Sequence, residues 1–188
     1  NTPDGVATGL RHFAEAYGKP IVVYIKAEGY LTPALAAALV NDGLVSWIKY
    51  AIVRPDPAED AFLSELVTLV DPSLIISGMG EQPVIHHLRD RGLTGFTTGC
   101  GCVAPALSAR MLAAGKSGDW TEADRIRALF EPLEDLRNAI NPVRVLHEAV
   151  TLSGVADMGP VLPLLSGLDA AQRENVKKAA QDLLAAER

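Results

Sequence analysis

One lysine stands inside an apolar run, Ser46-Trp47-Ile48-Lys49-Tyr50-Ala51. A strand covered on both faces reads as a nearly continuous hydrophobic run, and drawing an ammonium out of water there is costly unless the charge is paired or used. The chemical use would be a Schiff base, because a desolvated lysine has its pKa pushed down and a neutral amine attacks a ketone. The alternative is a lysine at a strand end whose head reaches water or a carboxylate. Other chemistry-bearing residues carry less. Gly78-Met79-Gly80 is a partial dinucleotide fingerprint whose third glycine position is Pro83. Gly99-Cys100-Gly101-Cys102 is a tight turn with small buried thiols, or else a small anion-binding nest. His86 and His87 are adjacent, point about 100° apart on a helix, and are expected at the surface without a shared metal. His147, alone on its helix, is expected to pack rather than react.

The elements that would position Lys49 follow from punctuation and periodicity. Thr2-Pro3-Asp4 opens a helix that stops at Gly18, and Thr32-Pro33 opens a second that ends near Asn41. Asp56-Pro57 is read as the start of a third, with Phe62, Leu63, Leu66, Val67 and Val70 at helical spacing. Strands are predicted at Ile21–Ile25, around Lys49, at Leu74–Ser77 and at Gly95–Gly99, and a further helix from about Gln82 to Arg91. The strand centres repeat at roughly 25 residues with a helix in each interval, which is a run of βα units and requires a parallel sheet. From Pro105 onward only helices are predicted: Ala104–Ala114, Thr121–Asn138 with Thr121 and Asp124 placed as a capping box, Pro142–Leu152, and an amphipathic stretch from Asp169 to Arg188.

The totals set outer bounds. With 188 residues, 48% hydrophobic and 21% charged, the chain has ample apolar material for a core. A net charge of −6 without a Lys/Arg run argues against nucleic acid and anionic membranes as partners. No segment approaches the roughly 18 apolar residues of a spanning helix. Two cysteines one residue apart give neither a disulfide framework nor a zinc site, which suits a reducing, cytoplasmic setting.

Together, Ile21–Tyr24, Trp47–Ala51, Leu74–Gly78, Gly95–Gly99 and the helical tail with Asn141-Pro142-Val143 resemble the dihydrodipicolinate synthase and N-acetylneuraminate lyase superfamily. The resemblance implies an α/β chain that is the last four βα units of a (β/α)8 TIM barrel, residues 1–115, followed by a helical extension, residues 116–188. It also implies that the first four strands precede Asn1. Four βα units cannot close a barrel of eight; were the chain complete, a flavodoxin-like open sheet would be the rival.

In that family a lysine forms an imine with a 2-oxo acid, usually pyruvate, within a motif that Trp47-Ile48-Lys49-Tyr50 resembles. Lys49 thereby becomes the nucleophile, and Tyr24 matches the tyrosine that transfers the proton. Gly78 and Thr97 match positions that line the substrate beside the imine. Strand alternation sends Lys49 inward and Tyr50 outward against helices. The resemblance implies a lyase on a small 2-oxo acid, with no metal or organic cofactor and a homo-oligomer, tetramer or dimer. Departures narrow it. The arginine that in the synthases holds the second substrate is absent after Tyr24, where Ile25-Lys26-Ala27-Glu28-Gly29 stands, and Lys26 is the replacement at hand. Tyr50 replaces a glutamate. A sugar-acid dehydratase and a non-catalytic small-acid binder therefore stand as alternatives.

Overall fold

The computed structural model describes residues 1–187; Arg188, assigned above to the C-terminal helix, lies outside the described residues. The chain divides into two compact units, one of Asn1–Met79 with Pro83–Thr97, the other of Gly80–Gln82 with Thr98 onward.

The first unit is built of βα repeats. Helix α1 (Pro3–Tyr17) starts where the Thr2 side chain accepts from the Gly5 amide at 3.2 Å and ends at Gly18, whose φ of 71° is reached without the penalty a side chain would bring. Strand β1 (Ile21–Ile25) leads to α2 (Pro33–Asn41), capped in the same manner by Thr32. Strand β2 (Val45–Tyr50) carries Lys49, and α3 (Ala61–Leu69) and β3 (Ile75–Ser77) follow. The strands pair in parallel in the order β1-β2-β3, with Tyr24 beside Lys49 and Lys49 beside Ile76. A doubly wound flavodoxin-like sheet reverses its strand order. This one does not.

One sheet face is buried and the other open. Val23, Ile25, Ile48, Tyr50, Ile75 and Ser77 are buried on one side. On the other, Val22 and Tyr24 are each 45% exposed, and Trp47, Lys49 and Ile76 are half-buried. Lys49 and Tyr50 thus point to opposite faces, as alternation requires.

Three local expectations are corrected in this unit. Helix α3 begins at Ala61 rather than Asp56-Pro57, because the Asp56 carboxylate accepts from the Ala58 amide in a turn at 2.9 Å while Asp60 caps the Leu63 amide at 2.9 Å. The fourth strand shrinks to one bridge between Ser77 and Phe96, since Thr98 already caps a tight turn through its hydroxyl and the Gly101 amide. The helix expected over 82–91 is a shorter turn that ends as a π-helix, His86–Asp90, and His87 is buried, not at the surface.

The second unit is helical: α4 (Pro105–Ser117), α5 (Trp120–Ala139), α6 (Pro142–Ser153) and α7 (Ala170–Glu187). Leu107, Ile126, Phe130, Val145, Val176 and Leu183 are among its buried core. Helix α4 has no side-chain cap of its own; the Glu187 carboxylate at the end of α7 accepts from its Ala106 and Leu107 amides, both at 2.7 Å. Asp119, and not a Thr121 capping box, starts α5 by accepting from the Glu122 amide at 3.1 Å.

Candidate functional site

Strand β2 delivers Lys49 to the open face, and parallel register sets Tyr24 next to it. The Lys49 Nζ stands 4.8 Å from the centroid of the Tyr24 ring, a cation–π distance. Gly78, at the end of β3, closes in from the other side. Its amide donates to the Tyr50 carbonyl at 2.6 Å, and a Cβ there would lie 2.9 Å from Lys49 Cγ and 2.8 Å from the Tyr50 carbonyl oxygen. Only glycine allows that approach. Tyr24, Lys49 and Gly78 are therefore brought together, while Thr97 lies one strand further on, tied by its amide to the Ser77 carbonyl at 2.8 Å.

Beside Tyr24 runs an open groove of about 410 Å³, lined by Leu10, Val22, Val23, Tyr24, Lys26, Ala27 and Tyr30. Lys26 and Tyr24 thus share one groove.

Behind the sheet, residues that sequence reasoning passed over hold β2 in place. The Tyr50 hydroxyl donates to the Asp60 carboxylate, whose other oxygen accepts from Arg54 at 3.0 Å; Arg54 also pairs with Glu28 at 2.7 Å. Burial, then the Asp60 carboxylate, drive the Tyr50 phenol well above its ordinary range, so it stays a donor. Burial opposes the charge on Asp60, but Arg54, the Leu63 amide and Tyr50 together hold its pKa below the usual value. His87 Nδ1 lies 2.8 Å from Ser77 Oγ, and its ring meets Tyr50 edge-on at 6.0 Å. Burial pushes the His87 pKa down to about 4, so the imidazole is neutral. The one available signal was Asp60 three residues before Leu63, a cap pattern that Asp56-Pro57 outcompeted.

A parallel sheet wound in one direction, with its helix-covered face buried and a lysine on the other, is the layout of part of a (β/α) barrel. The comparisons with known proteins agree on the fold. The dihydrodipicolinate synthase of Bacillus clausii superposes with a TM-score of 0.84 at 24% identity, over 96% of this chain and 60% of that one. That of Oceanobacillus iheyensis gives 0.83 at 24% identity, over 96% and 60%. The enzyme of Cyanidioschyzon merolae with lysine bound gives 0.83 at 17% identity, over 97% and 61%. This chain has the fold of the C-terminal part of such a barrel with its helices, and spans about 60% of the length of these enzymes. No protein-family model and no curated protein matches it. Among the described residues no helix is long and apolar enough to cross a membrane.

Proposed function

We propose that this chain carries the imine-forming site of a dihydrodipicolinate synthase-like lyase acting on pyruvate or another small 2-oxo acid. The observation that supports it most is the pairing of Lys49 with Tyr24 on the helix-free face of a barrel-type sheet. The lone pair of Lys49 Nζ adds to the ketone carbon; the carbinolamine then loses water and leaves an iminium that withdraws electrons from the adjacent carbon. That cation is itself the electron sink, so the step needs no metal. The Tyr24 phenol gives a proton to the departing hydroxyl and takes one back later. Gly78 leaves the backbone space beside the lysine stem, Thr97 contributes to the substrate's surroundings, and Lys26 offers a cation for a second carboxylate in place of the missing arginine. A cytoplasmic homo-oligomer, dimer or tetramer, completes this reading.

The test is intact mass of the native protein after incubation with pyruvate and borohydride, with the modified peptide mapped. One reduced pyruvyl group on Lys49, absent from Lys49→Ala, is the expected result. No adduct with pyruvate or with longer 2-oxo acids overturns the lyase and leaves a small-acid binder, whose ligand affinity would survive Lys49→Ala.

A further inference from the structure

The helical unit buries two carboxyl groups against one another. Glu81, from the Gly80–Gln82 segment, and Glu134, on α5, are each fully buried, and one carboxylate oxygen of each lies within 4.8 Å of the other and of Cys100 Sγ. Their outer oxygens are satisfied: Glu81 Oε1 accepts from Ser108 Oγ at 3.0 Å, and Glu134 Oε2 from the Gln82 amide at 2.7 Å. The remaining two, Glu81 Oε2 and Glu134 Oε1, are buried and accept no hydrogen bond. Arg137 stands 3.0 Å from Glu134 Oε1 and balances one negative charge. A second charge is left over. Two buried acids whose carboxylates approach within 4.8 Å, each with an oxygen that accepts no hydrogen bond, share one cation and lack a single hydrogen.

We propose that Glu81 and Glu134 hold one proton between Oε2 and Oε1, forming an acid–carboxylate clasp that fastens the Gly80–Gln82 segment to α4 and α5 and releases it when the proton leaves. One proton satisfies both bare oxygens and makes the cluster neutral with Arg137. A divalent cation fits less well, because Arg137 already faces Glu134 Oε1 and the Gly80 backbone presses on the same oxygen, where a Cβ would come within 2.0 Å. The clasp is extended outward by Gln82, which donates to Asp135 at 2.7 Å and accepts from Asn138 at 2.9 Å. The groups acting on the pair are Arg137 and Gln82, Cys100 and Cys102 from the tight turn, Thr98, and Ser108 from α4. Helices α6 and α7, which also pack on α5, bring Glu148 and Arg173, which pair with each other, and His147.

Burial and then the charge of Glu81 raise the Glu134 pKa to about 8, and burial raises that of Glu81. In the unfolded chain both ionise near 4.5. Between those values the folded state holds a proton that the unfolded state has lost, so stability falls as pH rises toward 8. Glu81→Gln replaces the acid by an amide that donates permanently across the gap.

The experiment follows Tm of the helical unit's unfolding in the native protein from pH 6.5 to 9, with Glu81→Gln and Glu134→Gln alongside. The expected result is a Tm that declines from pH 6.5 to about 8 in the native protein and declines less steeply in either variant. A carbonyl-stretch infrared band of a protonated carboxylic acid, present at pH 6.5 and gone by pH 9, is expected in the native protein without any variant. Equal pH slopes in all three proteins, or no such band at pH 6.5, overturn the clasp. So does a stoichiometric rise in Tm with Zn(II) or Mn(II) that EDTA reverses and Glu81→Gln abolishes, which would make the cluster a metal site. None of these readouts depends on the chemistry of Lys49.

Discussion

At the scale of single residues, the roles proposed for Lys49 and Tyr24 are forming the imine and moving a proton, and one substitution separates the two. Tyr24→Phe keeps the ring under the ammonium and removes only the hydroxyl. If the phenol transfers the proton, borohydride still traps a pyruvyl group on Lys49, while turnover falls by about 10²- to 10⁴-fold. Unchanged turnover would strip Tyr24 of that role and leave it as a cation–π partner. Gly78 makes a different demand, because the atoms a Cβ would meet include the Tyr50 carbonyl, which cannot swing aside. Gly78→Ala is expected to cost about 1–3 kcal/mol by overpacking, seen as a lowered Tm, and to slow imine trapping as Lys49 Cγ is pushed away.

At the scale of elements, a single buried carboxylate supports the site from behind. Asp60 caps α3, accepts from Tyr50 and pairs with Arg54, so Asp60→Ala leaves a buried phenol without its acceptor and Arg54 with Glu28 alone. A loss of about 3–5 kcal/mol is expected, against about 1 kcal/mol for Thr32→Ala, which removes a cap alone. Chemical denaturation of both variants checks the contrast, and equal losses would reduce Asp60 to a cap.

The same elements show what could be read from the sequence. Thr-Pro caps and β-branched runs located α1, β1, α2 and β2, and alternation placed Lys49 and Tyr50 on opposite faces. Asp56-Pro57 copied that cap pattern and hid Asp60, since a turn and a helix start use the same residue types. His87 was misplaced because its polar neighbours His86, Arg89 and Asp90 mark a surface helix, whereas a π-turn and Ser77 bring the ring inside. Glu81 and Glu134 lie 53 positions apart (134 − 81). Neither has a local pattern that announces the other.

At the scale of the whole molecule, the two units carry buried groups whose protonation works in opposite directions. In the first, His87 is neutral with its pKa near 4, against 6.5 when exposed. As pH falls from 6.5 toward 4 the unfolded chain takes up a proton that the folded unit refuses, and its stability drops. In the second, the shared proton of Glu81 and Glu134 is lost as pH rises toward 8, and stability drops that way instead. Amide exchange, corrected for intrinsic rates, should therefore show β2 and β3 losing protection between pH 6.5 and 5 while α5 and the Gly80–Gln82 segment hold theirs, and the reverse between pH 7 and 9. His87→Phe keeps a ring against Tyr50 and cannot be charged, so it should remove the acid response of the first unit and leave the alkaline response of the second untouched. A parallel loss of protection in both units at either extreme would mean that they open as one, and that neither buried group governs its own unit's stability.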